Sequence, residues 1–189
     1  DRIPGEVTEL FIRDKYRLTK SEAQEMLGRA AREGWAEPKP GYGWRLRPVA
    51  KTPDTFEQIY RFRALIEPAA LIEPGFVFDQ KIYEALHRTQ QKMLDGDACR
   101  LPSAALVQAG ATFHLDLIRM SGNMMFVQAL ERANQLRRLL EYRTNVNRQR
   151  FEVQCADHLH ILDLVRRGEN LEAAHFMKKH LSGALAAKS

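Results

Sequence analysis

Apolar positions recur near every 3.6 residues along most of the chain, and the pattern resets only at clusters of glycine, proline and small polar residues. From Asp54 onward this periodicity predicts six helices, at about 54–72, 79–95, 102–121, 123–143, 148–167 and 170–187. The breakers between them are Glu73-Pro74-Gly75, Asp95-Gly96-Asp97, Ser121-Gly122-Asn123 and Arg167-Gly168-Glu169. Short connections between long helices favour antiparallel neighbours, so this stretch reads as an all-α antiparallel bundle.

The first fifty residues are patterned differently. Residues 6–16 read as a short amphipathic helix, and Arg17-Leu18 as the turn that follows. Thr19 is a good N-cap, with Glu22 three residues later completing a capping box. The helix from Lys20 to Arg32 then turns Ala23, Leu27 and Ala30 inward, and Gly34 stands where a C-cap is needed. Pro40-Gly41-Tyr42-Gly43 supplies a tight turn, after which Trp44 and Leu46 alternate with Arg45 and Arg47 in an extended run reaching Val49. Pro48 to Pro53 reads as a linker. The chain therefore divides into 1–50, a winged helix-turn-helix, and 51–189, the helical bundle.

Helix, turn, helix and Gly-containing hairpin is an arrangement that reads DNA. Its second helix enters the major groove, and basic residues on the wing fix phosphates. Thr19, Lys20 and Gln24 open that helix and are the candidates for base edges; Lys39, Arg45 and Arg47 are those for the backbone. An ordinary helical hairpin followed by a β-turn has the same outline.

Charge and composition narrow the picture only slightly. The net charge of +5 divides into +2 over residues 1–50 and +3 over the rest, so any basic face must arise by folding rather than from a tail. Cys99 and Cys155 have no paired spacing, which argues against a disulfide scaffold or a zinc ribbon. No run approaches 18 apolar residues and no charged-then-apolar leader opens the chain, so no membrane partner and a cytoplasmic location are expected. Asp1-Arg2-Ile3-Pro4-Gly5 reads like the middle of a longer protein.

The chemistry lies in three histidines. His114, His158 and His180 fall on different predicted helices. His158 shares a stripe with Cys155, Leu162 and Val165, and His180 with Ala173, Met177 and Ala184, so both point inward, whereas His160 faces elsewhere. A single inward histidine is usually a hydrogen-bonded core residue. Three on converging helices suit a divalent transition metal, for which imidazole is the commonest ligand. Arg63, in the stripe Ile59–Arg63–Ile66–Ala70, and Arg137, in Phe126–Leu130–Ala133–Arg137–Leu140, are likewise inward. A buried guanidinium needs an anion. That anion is either an internal carboxylate (Glu67, Glu131 or Asp157) or a bound small carboxylic acid. Asn134 and Tyr142 are further pocket candidates.

Two groups of motifs extend this reading. Thr19 to Leu46, with REGW at 32–35 and PGYGW at 40–44, resembles the recognition helix and wing of GntR-family transcriptional regulators. FRALIEPAAL at 62–71, TFHLDLIRMSGN at 112–123 and DHLHILDLVRRGENLEAAHFMKKHL at 157–181 resemble the FCD effector domain of the FadR subfamily, in its six-helix VanR-like branch. The resemblance implies a homodimeric repressor that binds double-stranded operator DNA and senses a small organic or sugar acid. It also implies a metal (Zn, Ni or Mn) held by His114, His158 and His180 together with an Asp one turn before His114.

This chain departs from the family at three points. Gly110 occupies the expected Asp position, Lys20 and Gln24 stand where the family has arginines, and the first helix of the DNA domain is missing or shortened. Two alternatives follow from the same residues. A three-histidine metal site with an open position is also the core of a hydrolase, although Asp157 projects about 100° from His158 and no general base is evident. The weakened reading helix would also fit a ligand-binding protein without DNA binding.

Overall fold

The computed structural model describes residues 5–32, 35–46, 53–141 and 148–186, and the chain separates into two compact units, Asp1–Ala50 and Lys51–Ser189. Gly34, Arg47, the extended run beyond Leu46 and Tyr142 lie outside the described residues.

In the first unit, β1 (Glu6–Val7) precedes α1 (Glu9–Tyr16), α2 (Lys20–Arg32), β2 (Ala36–Pro38) and β3 (Trp44–Leu46). The helix expected over 6–16 begins only at Glu9. Thr8 stops it from starting earlier: it is extended, and its hydroxyl caps Phe11 N–H at 3.0 Å. Glu6 and Val7 instead pair antiparallel with Arg45 and Trp44, which gives a three-stranded sheet in the order β1-β3-β2. Gly43 makes this possible. Its φ is +98°, and a Cβ there would lie 2.9 Å from the Val7 carbonyl oxygen, so only glycine lets β1 approach. α2 has the expected bounds and its capping box forms, with Thr19 N–H donating to Glu22 Oε2 at 2.7 Å and Glu22 N–H to Thr19 Oγ1 at 3.3 Å. Val7, Ile12, Ala23 and Leu27 make the small core, with Leu18, Trp44 and Leu46 packed against it.

The second unit is all-helical: α3 (Pro53–Leu71), α4 (Gln80–Lys92), α5 (Ala98–Arg100), α6 (Ser103–Arg119), α7 (Met124–Glu141), α8 (Arg148–Arg166) and α9 (Asn170–Ala186). The expected break at Asp95-Gly96-Asp97 is a π-type turn, Met93–Asp97, that leads directly into the one-turn α5. Gly96, at φ +123° and ψ -8°, is not helical, so the chain kinks there and two helical segments meet across it. α3 packs along α9 and α7, and α8 packs against α9 and α4. The main core runs through Tyr60, Leu71, Phe113, Leu117, Ile161, Leu162, Met177 and Leu181. Among the described residues no helix is long and apolar enough to cross a membrane.

Candidate metal and effector site

Four helices of the second unit bring a buried polar cluster into this apolar core. α6 contributes His114, α8 His158, α9 His180 and α3 the pair Arg63 and Glu67; all five are buried. The three imidazoles each offer a ligand atom, and these atoms lie within 4.8 Å of one another.

The outer nitrogens fix which atoms those are. His114 Nδ1–H donates to Glu67 Oε2 at 2.6 Å, His158 Nδ1–H to Gln90 Oε1 at 3.0 Å, and His180 Nδ1–H to Asp157 Oδ2 at 2.9 Å. Glu67 and Asp157 can only accept, so His114 and His180 carry their protons on Nδ1 and leave Nε2 as bare lone pairs; with the Gln90 carbonyl turned to it, His158 does the same. In that arrangement His158 Nε2 and His180 Nε2, 3.2 Å apart, have no proton between them. Two facing lone pairs repel unless a cation lies between them. Two ligands of one tetrahedral Zn²⁺, at bond lengths of about 2.0–2.1 Å, stand about 3.3 Å apart, so the donor set fits a transition metal. Carboxylate or carbonyl partners on the far nitrogens are the usual outer support of histidine ligands. Phe113 stacks on His158 at 3.8 Å and helps fix that ring.

Glu67 is the electrostatic centre of the cluster. Besides His114 it accepts from Arg63 Nε at 2.6 Å. Burial alone would raise its pKa, but the Arg63 charge and the His114 ring overcome that and hold it down at about 2. Burial pushes His114 down to about 3, against the pull of Glu67. His158 is also driven well below the usual histidine range, by burial first and then by the neighbouring His114, His180 and arginine charges.

These shifts give a pH dependence with a definite sign. Between the lowered folded values and the unfolded value near 6.5, the unfolded chain binds more protons. Stability is therefore complete above about pH 6.5 and falls as the pH drops below it, each ring adding a slope of up to about 1.4 kcal/mol per unit. Glu67 adds its own loss below about 4.5. Denaturant titrations of metal-free protein at pH 7.5, 6.0 and 5.0 check this, and a stability flat across that range would contradict the buried neutral imidazoles.

Arg63 thus has the internal carboxylate partner that sequence left as one of two options, yet its Nη2 is buried without a hydrogen-bond partner among the described residues. The same holds for Gln90 Nε2 and for Asn134 Oδ1, one turn before the buried Arg137 on α7. Gly110 lies one turn before His114 on α6, and a Cβ built on it meets nothing within 4 Å. His160 is exposed and packs its ring on Phe176, apart from the cluster.

Two partners escaped the sequence reading. Asp157 does project away from His158, but it reaches the ring of His180 on the neighbouring helix; an angle measured on one helix cannot show that. Gln90 had a signal, an amide on the buried stripe Leu86–Gln90–Met93.

In the first unit, Lys20 and Gln24 stand exposed at the start of α2. Thr19 spends its hydroxyl in the cap, donating to Glu22 Oε2 at 2.7 Å. The wing cations are paired: Lys39 with Glu6, and Arg45 with Glu37 at 3.2 Å and Glu6 at 3.6 Å.

The comparisons give the second unit a family and the fold its relatives. The FCD domain family matches residues 58–183, and the chain belongs to it. Over its full length the fold is similar to that of Lar, which controls the expression of the Listeria monocytogenes agr system and mediates virulence (TM-score 0.74, 15% identity, covering 98% of this chain and 87% of that one). It is also similar to E. coli McbR/YncC (TM-score 0.68, 13% identity, 97% and 87% covered) and to Streptococcus agalactiae GntR (TM-score 0.61, 16% identity, 99% and 90% covered). No curated protein sequence matches the chain.

Proposed function

We propose that this chain is a ligand-responsive, DNA-binding transcriptional repressor in which a small organic or sugar acid, bound at a metal in the helical domain, controls the winged helix-turn-helix. The observation that carries the reading is the convergence of three buried imidazoles, two of them held with Nε2 inward by a carboxylate on Nδ1 and the third by the Gln90 amide. Zn²⁺, Ni²⁺ or Mn²⁺ would be held by His114, His158 and His180, and when bound it supplies a Lewis-acidic position for a carboxylate oxygen. The orphaned buried atoms complete the ligand's description. Arg63 Nη2 and Gln90 Nε2 are donors, which suit a carboxylate, while Asn134 Oδ1 is an acceptor, which suits a hydroxyl. Arg137 adds positive charge near His158. An acid that also bears a hydroxyl satisfies all of these groups.

Lys20 and Gln24 are assigned to base edges, with Thr19 placing the start of that helix, and Lys39, Arg45 and Arg47 to phosphates. The paired state of Lys39 and Arg45 does not oppose this, because exposed ion pairs are worth about 0–1 kcal/mol and exchange readily for phosphate. A homodimer follows from two-fold operators. An exposed apolar stripe, Phe62 and Leu65 on α3 and Ile72 just past its end, with Leu65 71% exposed, offers it a surface.

The test is binding of the full chain to its own upstream DNA, with and without Zn²⁺ and a panel of small hydroxy acids. The expected result is specific binding that weakens about a thousandfold between about 50 and 200 mM salt, as for roughly six phosphate contacts, and that one acid releases only when metal is present. Binding no better than to random duplex would end the regulator reading.

A further inference from the structure

A side-chain hydrogen bond ties α2 to α1. Gln24 stands on the exposed face of α2, and its Nε2–H donates to Glu9 Oε2 at 3.0 Å, across from the first turn of α1. A carboxylate only accepts hydrogen bonds, so Glu9 can be satisfied only by the nitrogen end of the amide. The amide is planar, and with its nitrogen turned to Glu9 the carbonyl Oε1 must turn away. We propose that Glu9 is a positioning residue that fixes the sense of the Gln24 amide, so that Gln24 reads adenine and rejects guanine in each half-site. This rests on the DNA-binding reading above.

The chemistry follows from the edges that the bases show in the major groove. Adenine presents the N6 amino donor beside the N7 acceptor, and guanine presents two acceptors, O6 and N7. With Oε1 turned outward, Gln24 accepts from N6 and still has its second Nε2–H for N7. Against guanine the same Oε1 faces O6, acceptor against acceptor. A free amide would escape this by turning both Nε2 hydrogens toward O6 and N7; one held by Glu9 has already given one of those hydrogens to a charge-assisted bond and must first break it. Two neighbours leave the edge to Gln24. The Thr19 hydroxyl is engaged with Glu22 at 2.7 Å, and Gly28, one turn further along, has no side chain to hold the helix off the groove.

The experiment is selection of bound duplexes from a random pool by the full chain, as wild type, Gln24→Ala, Glu9→Ala and Glu9→Gln. In the wild type one position per half-site is expected to be adenine, preferred over guanine about tenfold or more. Gln24→Ala removes the preference at that position alone. Glu9→Ala relaxes it to adenine or guanine, while Glu9→Gln, whose carbonyl can still accept from Nε2–H, largely retains it. A merely structural role for Glu9 would change affinity evenly and leave the base preference untouched. The proposal is overturned if Gln24→Ala changes no adenine position, or if Glu9→Ala leaves the adenine preference intact. If no sequence is enriched by any of the four proteins, the regulator reading fails and this proposal falls with it.

Discussion

Replacing Glu67 with alanine is expected to destabilise the metal-free protein by about 3–5 kcal/mol, the cost of leaving a buried charge without its partner. Glu67 is fully buried and answers two groups at once, Arg63 Nε and the Nδ1–H of His114, each at 2.6 Å. Arg63 is itself fully buried and keeps its charge, because a guanidinium does not deprotonate in a protein. Alanine therefore strands a cation in the core and leaves His114 free to move its proton to Nε2. Glu67→Gln should cost less, since its carbonyl can still accept one of the two bonds. A double replacement by leucine at 63 and 67 should recover much of the loss, because a buried pair exchanged for apolar residues of similar size is close to neutral. Urea midpoints of the three variants check this. A loss below about 1 kcal/mol for Glu67→Ala would show that water reaches Arg63 and that the cluster is not sealed.

That cluster also shows how far the sequence could be read. Helical periodicity located α3, α4 and α6 to α9 to within a few residues and turned His158, His180, Arg63 and Arg137 inward, because a 3.6-residue period fixes a residue's face whatever it packs against. It could not say what each inward group would meet. Gln90 lies 68 positions from His158 and Asp157 23 positions from His180, and only the packing of α4 and α9 on α8 brings them together. The first unit fails in the reverse way. Residues 6–16 look helical by composition, but Glu6 and Val7 are drawn into a strand by partners at Trp44 and Arg45 and by the space that Gly43 leaves. Local pattern loses there to a tertiary contact.

Gly110→Asp is expected to raise zinc affinity on the order of a hundredfold, which adds about 2.7 kcal/mol of stabilisation at a fixed excess of metal. Gly110 lies four residues before His114 on α6, so a side chain there occupies the same face one turn away. The space at the first side-chain atom is open: a Cβ meets nothing within 4 Å. Three neutral imidazoles place no negative charge on the ion directly. A carboxylate removes one unit of that charge and supplies a fourth donor. Gly110→Ala serves as the control, because alanine gains about 0.5–1 kcal/mol in a helix without any metal. The same substitution should weaken the response to acids, since the new side chain takes the position that a ligand carboxylate would otherwise fill. Thermal shifts of chelator-stripped Gly110→Asp and Gly110→Ala, with and without Zn²⁺ and then with acid, separate these effects. If zinc stabilises neither variant, the three Nε2 lone pairs do not share a metal, and the acid must be held by Arg63, Gln90 and Asn134 alone; equal stabilisation of both would show that a side chain at 110 does not reach the ion.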